Sequence, residues 1–247
     1  MELEIQTGER MDFIAGTKMP IIQSETVFSY SIDAILLGRF AHVPIQKGRL
    51  LDLCSGNGVV GLVLATRSKG HIAMVELQQR LHEMALRSVK GNGLEARVRA
   101  VRGDVRCLPD DLSGGRFDLV TCNPPYFPLR EGVQRSENEH KALARHEIAC
   151  TLEDVIRAGS FSLKHGGKLA LVQRPERLAE MITLMRAYHL EPKRLQFVHP
   201  AKGKESNMVL LEGTKGGNAG LRTQAPLIVY TEEGAYTSEF QKVYLCQ

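Results

Sequence analysis

The stretch LLDLCSGNGVVG, residues 50–61, decides how this chain folds. Its apolar opening reads as a strand, and glycines at 56, 58 and 61 allow a sharp turn into a helix over residues 59–66. Lacking a Cβ, they also let backbone amides approach a ligand closely. Strand, glycine loop and helix in that order make the first unit of an open α/β sheet.

The pattern continues outward from that unit. Residues 72–75 form a short apolar run, and residues 76–90 have helical spacing that stops at Gly91-Asn92-Gly93. Residues 98–101 and 117–122 are further strands. Thr151 is placed to cap a helix over residues 152–165, with Glu153 and Asp154 favourable in its first turn. After Gly166-Gly167, residues 168–173 read as a strand and residues 177–188 as a helix. Such alternation implies right-handed crossovers and a mostly parallel sheet covered on both faces. Towards the end, residues 195–198 and 208–211 are strand-like with only a polar stretch, 202–207, between them, so they are expected to pair antiparallel at the sheet edge. Residues 226–230 add a candidate strand, and residues 237–245 a short terminal segment. One α/β domain over 1–247 is expected, divided into an N-terminal covering segment (1–48), a core (49–212) and a C-terminal extension (213–247).

With 247 residues, 43% hydrophobic and 24% charged, the chain has ample material for one large core. No apolar run approaches the roughly 18 residues of a membrane span. Residues 1–10 lack the basic-then-apolar order of a signal peptide, so a cytoplasmic location is expected. Five cysteines, an odd number without a C-x-x-C pair, argue against a disulfide framework or zinc site. His42, His71, His165 and His189 show no metal spacing, and no metal is expected. A net charge of +4 permits a nucleic-acid partner without requiring one.

Gly56, Gly58 and Gly61 satisfy G-x-G-x-x-G, with Glu76 about 20 residues beyond, so a dinucleotide-dependent oxidoreductase is one reading of the loop. Asp52 weighs against it. At the strand end, its charge would repel a pyrophosphate where phosphate binds in such sites. The same carboxylate suits the ammonium of S-adenosylmethionine, with the loop backbone at its amino-acid end. Glu76 is then placed to accept from both ribose hydroxyls. Asp104 can take the adenine amine, while the Val105 amide meets a ring nitrogen. All three acids follow successive strands, where open α/β sheets bind ligands.

Asn123-Pro124-Pro125-Tyr126 follows the strand over 117–122. A bare turn explains one proline, because proline lacks an amide donor and ends strands. It does not explain the asparagine before two prolines or the tyrosine after them. An exocyclic amine is a poor nucleophile, since its lone pair is delocalised into the ring. Two acceptors on its hydrogens, the Asn123 side-chain oxygen and the Pro124 carbonyl, would free that lone pair and hold the nitrogen in line for transfer. Tyr126 would stack on the base.

Together, DLCSGNG, Glu76, Asp104 and NPPY resemble the Rossmann-like class I amino-methyltransferases. The segment FSYSIDAILL (28–37) and the segment HPAKGKESN (199–207) are similar to the bacterial tRNA adenine-N6 methyltransferases that act on valine tRNA. The resemblance implies a seven-stranded, mostly parallel sheet with helices on both faces and an antiparallel C-terminal edge. It implies S-adenosylmethionine held by Asp52, Cys54, Ser55, Gly56, Asn57, Gly58, Glu76, Leu77, Asp104, Val105 and Asn123. It further implies a catalytic set of Asn123, Pro124, Pro125 and Tyr126, and an adenine N6 in a tRNA anticodon loop as acceptor. Because NPPY also serves enzymes that methylate glutamine side chains or DNA adenine, those acceptors stay open, as does an inactive cofactor-binding scaffold. Residues 127–147, with Arg130, Arg135, Lys141 and Arg145 against four glutamates, are the candidate RNA contact or a solvated loop.

Overall fold

The computed structural model describes residues 3–25, 27, 31–124, 126 and 150–246. An N-terminal hairpin, β1 (Glu9–Phe13) and β2 (Pro20–Ser24), precedes helix α1 (Ile32–Phe40). The main sheet begins with β3 (Arg49–Leu53), followed by α2 (Val59–Arg67), β4 (His71–Glu76), α3 (Gln79–Gly91) and β5 (Val98–Arg102). It continues with β6 (Phe117–Cys122), α4 (Leu152–Ser162), β7 (Leu163–Gln173) and α5 (Leu178–Ala187). Then come β8 (Leu190–Ala201), β9 (Met208–Lys215), β10 (Arg222–Thr223), β11 (Leu227–Tyr230) and α6 (Ser238–Tyr244).

The strands lie in the order β10-β8-β9-β7-β6-β3-β4-β5, with β11 also against β8. β5, β4, β3, β6 and β7 are parallel, and β9 enters antiparallel between β7 and β8. The seven strands expected are all present. Two short strands, β10 and β11, extend the β8 edge in parallel and bring the sheet to nine. The antiparallel pair therefore sits one strand inside the edge.

Alternation along the strands sorts side chains between two cores. Leu50, Met74, Leu119 and Ala170 face a layer formed by α1, α2, part of α3 and Phe240 of α6. Leu51, Ala73, Val120 and Leu169 face Val155 and Ile156 of α4 and Met181 and Met185 of α5. Both faces are covered, so these strands are near-continuous apolar runs rather than alternating ones.

Local signals hold where they were strongest. Thr151 caps α4 in a reciprocal box with Asp154, and α3 stops at Gly91 with Gly93 at φ 65°. The helix expected to reach residue 165 instead ends at Ser162. Ser162 Oγ donates to the Leu112 carbonyl, and β7 begins at once, pairing Leu163 with Phe117. Sheet pairing outcompetes the helical pattern there. Gly61 is required by packing. A Cβ on it would lie 2.3 Å from Met74 Sδ, so only glycine lets α2 lie this close to β4.

Candidate active site

Strand order reverses at β3, between β4 and β6, which opens a crevice at the carboxyl ends of those strands. The loop over residues 54–58 lines it. Cys54, Gly56 and Gly58 have φ of 54°, 57° and 90°, a left-handed run that glycine adopts without strain and cysteine does not. The loop is tied down at several points. Ser55 N donates to the Val75 carbonyl at 3.0 Å and Gly58 N to the Ser55 carbonyl at 2.9 Å. The Asn57 amide donates to the Ile22 carbonyl of β2 at 2.9 Å. Asn57, expected to touch the cofactor, therefore directs its amide nitrogen to the hairpin.

Asp52 is fully buried. Its Oδ1 accepts from Thr121 Oγ1 at 2.7 Å, while Oδ2 has no hydrogen-bond partner among the described residues. Burial, above all, pushes its pKa up to about 7, against the opposing bond from Thr121. A buried carboxylate oxygen left unpaired is costly, and a ligand cation would satisfy it. Glu76 is also buried. Its Oε2 accepts from Gly56 N and its Oε1 from Gln78 N, both at 2.8 Å. Burial raises its pKa, and the amides at residues 78, 56 and 77 oppose the rise. Asp104, half-buried, accepts from the Arg106 amide at 2.9 Å and from its guanidinium at 2.6 Å. The Arg106 side chain holds its carboxyl below the usual range. Val105 is buried in the turn after Asp104, and Leu77 is exposed beside Glu76.

The structure thus brings the acids of β3, β4 and β5 to one end of the sheet, as the strand reading required. A Cβ on Gly56 would meet nothing within 4 Å, so open space adjoins the loop. The buried Ser55 Oγ, like Asp52 Oδ2, has no hydrogen-bond partner among the described residues. Unpaired oxygens beside an open glycine cradle fit a ligand carrying an ammonium and a ribose, as S-adenosylmethionine does.

At the end of β6, Asn123 is half-buried and Pro124 buried. Pro125 and residues 127–147, including the candidate RNA segment, lie outside the described residues. Tyr126 is half-buried. Its hydroxyl donates to Asp33 Oδ2. Burial first, and Asp33 next, hold the Tyr126 phenol well above its ordinary range. Arg174, just past the end of β7, places its guanidinium 5.9 Å from the Tyr126 ring centroid. Its Nη1 donates to the Asn207 carbonyl at 3.2 Å. Lys202 and Lys204 are exposed in the β8–β9 turn, where His199 Nδ1 meets the Lys204 carbonyl at 2.8 Å.

Sequence reasoning assigned no role to Thr121, Asp33 or Arg174. Thr121 is a polar residue in an apolar strand, two residues before Asn123, and that was its signal. Asp33 opens a helix otherwise apolar at its core positions, and Arg174 is a cation at a strand end. Nor did it foresee the thiols clustered beneath the loop. Cys54 Sγ and Cys150 Sγ are 3.9 Å apart, and burial raises the pKa of the neighbouring Cys122. Among the described residues, no group of three or more His, Cys, Asp or Glu side chains could hold a metal ion, and no helix is long and apolar enough to cross a membrane.

Comparison with known proteins identifies relatives of this chain. The model of the methyltransferase small domain family matches residues 18–189. The chain is 30% identical over 210 residues to a tRNA1(Val) (adenine(37)-N6)-methyltransferase of Aeromonas salmonicida (strain A449), covering 84% of this chain and 85% of that protein. It is 26% identical over 240 residues to the enzyme of the same name from Porphyromonas gingivalis (strain ATCC BAA-308 / W83), covering 94% and 93%. Among solved structures, a predicted O-methyltransferase from Agrobacterium tumefaciens aligns with TM-score 0.69 and 26% identity over 86% of this chain and 95% of that one.

Proposed function

The chain belongs to the methyltransferase small domain family, whose members use S-adenosylmethionine, and we propose that it methylates N6 of an adenine in the anticodon loop of a tRNA, valine tRNA in particular. When bound, the cofactor supplies a methyl group on a sulfonium. The remaining work belongs to the chain. Asp52 Oδ2 would take the cofactor ammonium, Glu76 the ribose hydroxyls, and Asp104 with the Val105 amide the adenine. Gln78 and Gly56 amides now occupy Glu76, and Arg106 occupies Asp104, so ribose and adenine compete with bonds that are already made.

Asn123 and the Pro124 carbonyl would accept the hydrogens of the target amine, keeping its lone pair free and aligned. The aromatic wall of Tyr126 suits a flipped base, worth about 1–3 kcal/mol by stacking. A strong base is not needed, because the methylated ammonium is acidic enough to lose its proton to water or a backbone carbonyl. The observation that carries the proposal is the placement of Asn123, Pro124 and Tyr126 at the sheet end where the three acids converge. A cytoplasmic location suits a tRNA acceptor, and Ile22 and Asp33 of the N-terminal segment reach the site through the Asn57–Ile22 and Tyr126–Asp33 bonds.

Incubation with labelled S-adenosylmethionine and total bacterial tRNA should place label in N6-methyladenine, located by mass spectrometry. Label confined to protein or DNA would refute the proposal. Asn123→Ala should lower kcat about 100-fold or more, by analogy with losing one transition-state hydrogen bond, while sparing S-adenosylhomocysteine affinity.

A further inference from the structure

Tyr126 is met from two sides by segments distant in the chain. Its hydroxyl donates to Asp33 Oδ2. Asp33 is 3% exposed in the first turn of α1, and its Oδ1 takes the Ala34 amide at 2.9 Å and the Ser31 hydroxyl. Just past β7, the Arg174 guanidinium stands over the ring, 5.9 Å from its centroid, within the roughly 6 Å at which a cation is drawn to an aromatic face. Arg174 is itself anchored. Its amide donates to the side-chain oxygen of buried Gln173 at 2.9 Å, and its Nη1 to the Asn207 carbonyl at 3.2 Å. The Asn207 amide in turn donates to the Val198 carbonyl at 3.1 Å. Asp33 lies in the segment 28–37 and Asn207 in the segment 199–207, so both flanking segments converge on one ring.

The two contacts restrain different motions. The hydroxyl lies on the axis about which a tyrosine ring turns, and that torsion has only broad minima. Asp33 therefore holds the tip of the side chain and leaves the ring plane able to rotate. A cation over one face resists the rotation, since turning the ring would replace its negative face with its positive edge. We propose that Arg174 is a positioning residue for methyl transfer: braced on Asn207, it fixes the plane of Tyr126 and occupies one face, so that the acceptor base stacks on the other. Stacking sets the base parallel to the ring, and a base tilted off that plane carries its amine out of line with the methyl donor. With one arm of its fork engaged by Asn207, the guanidinium is built to hold the ring rather than to reach for RNA phosphate.

The inference rests on the methyltransferase reading above. Single-turnover transfer to an unmodified valine tRNA transcript is measured at saturating tRNA, with tRNA affinity followed across salt and S-adenosylhomocysteine affinity measured on each variant. Arg174→Ala should slow transfer about 2- to 30-fold, the range for one cation–ring contact. Arg174→Lys should recover part of the rate, because it keeps the charge without the planar fork. In a Tyr126→Ala background, Arg174→Ala should add no further loss, because the ring it steadies is gone. Cofactor affinity should stay within about twofold. The slope of log affinity against log salt should stay parental. A slope flattened by about 0.7 to 0.9 would make Arg174 a phosphate contact and overturn the proposal. An undiminished loss in the Tyr126→Ala background, or Arg174→Ala at the parental rate, overturns it as well.

A second measurement covers variants too slow to assay and does not depend on the acceptor. In protein carrying 13C at the tyrosine ε carbons, NMR relaxation should show the Tyr126 ring flipping about 2- to 30-fold faster in Arg174→Ala than in the parent. An unchanged flip rate counts against the restraint on the ring plane. Should the parent leave tRNA unmodified, the acceptor assignment fails, and the flip rate still judges the contact.

Discussion

Thr121 Oγ1 donates to Asp52 Oδ1 at 2.7 Å across neighbouring strands, and among the described residues it is the one side-chain hydroxyl bonded to this buried acid. The bond orients the carboxylate so that its second oxygen remains unpaired at the end of β3. Burial outweighs the Thr121 bond, and the acid titrates at about 7 rather than at its ordinary 3.8.

Cofactor affinity should therefore depend on pH through Asp52. The ammonium of S-adenosylhomocysteine is charged throughout the neutral range, but its partner is charged only above about pH 7. Calorimetric titration should show binding tightening between about pH 6 and pH 8. Asp52→Asn should bind weakly, with that dependence gone. A parent profile that is flat across the range would remove Asp52 from the ammonium site.

The same acid should cost stability in the ligand-free protein. Its folded pKa lies above its unfolded value, so the stability it contributes is complete below pH 3.8 and is lost as pH rises to about 7. Above that, Asp52→Asn should unfold at higher temperature than the parent, by on the order of 2 kcal/mol in stability. The advantage should vanish near pH 4, and scanning calorimetry at both ends checks it.

Gly61 of α2 and Gly56 of the loop before it should respond differently to alanine. Gly61→Ala drives a Cβ against buried Met74 and should cost about 1–3 kcal/mol of stability. Met74→Ala in the same chain should restore part of that loss. At Gly56 the new Cβ would enter open space at a φ of 57°, costing only about 1–2 kcal/mol of strain. That space is where the cofactor is proposed to lie, so Gly56→Ala should lose affinity far beyond its stability loss. Equal ratios of affinity to stability loss in both variants would contradict this division.

Asn57→Ala removes a buried bond to Ile22 and leaves that carbonyl unpaired. A destabilisation of about 1–3 kcal/mol is expected. Hydrogen exchange should quicken in the β1–β2 hairpin while β6 and β7 stay protected. Uniform quickening, or none, would show that Asn57 does not pin the hairpin to the loop.

Thiol chemistry should split the cysteines. Cys107 and Cys246 are exposed, whereas Cys122 and Cys150 are buried and Cys54 is half-buried, all three with raised thiol pKa. Since the thiolate is the reactive form, brief maleimide treatment of the folded protein should label Cys107 and Cys246 first. Early labelling of Cys54 would mean that the loop opens more readily than its bonds suggest.

Much was legible in the sequence because it was encoded locally. The glycine loop, the capped start of α4 and the stop at Gly91 each rest on a few adjacent residues. Boundaries shifted where sheet pairing competed with helical spacing, as at Ser162. The two-residue β10 is too short for a periodic signal, whereas β11 falls within the candidate strand over residues 226–230.

Sequence alone determined that acids would stand at three successive strand ends and that the Asn-Pro-Pro-Tyr segment would follow the fourth strand, because strand period and proline chemistry are properties of neighbouring residues. Tertiary structure decided which of those groups are satisfied and which are left open. Glu76 faces the amides of Gly56 and Gln78, Asp104 faces Arg106, and Tyr126 faces Asp33 of α1. The Glu76–Gly56 and Tyr126–Asp33 partnerships join segments far apart in the chain, and burial sets their strength only once the sheet has closed over them.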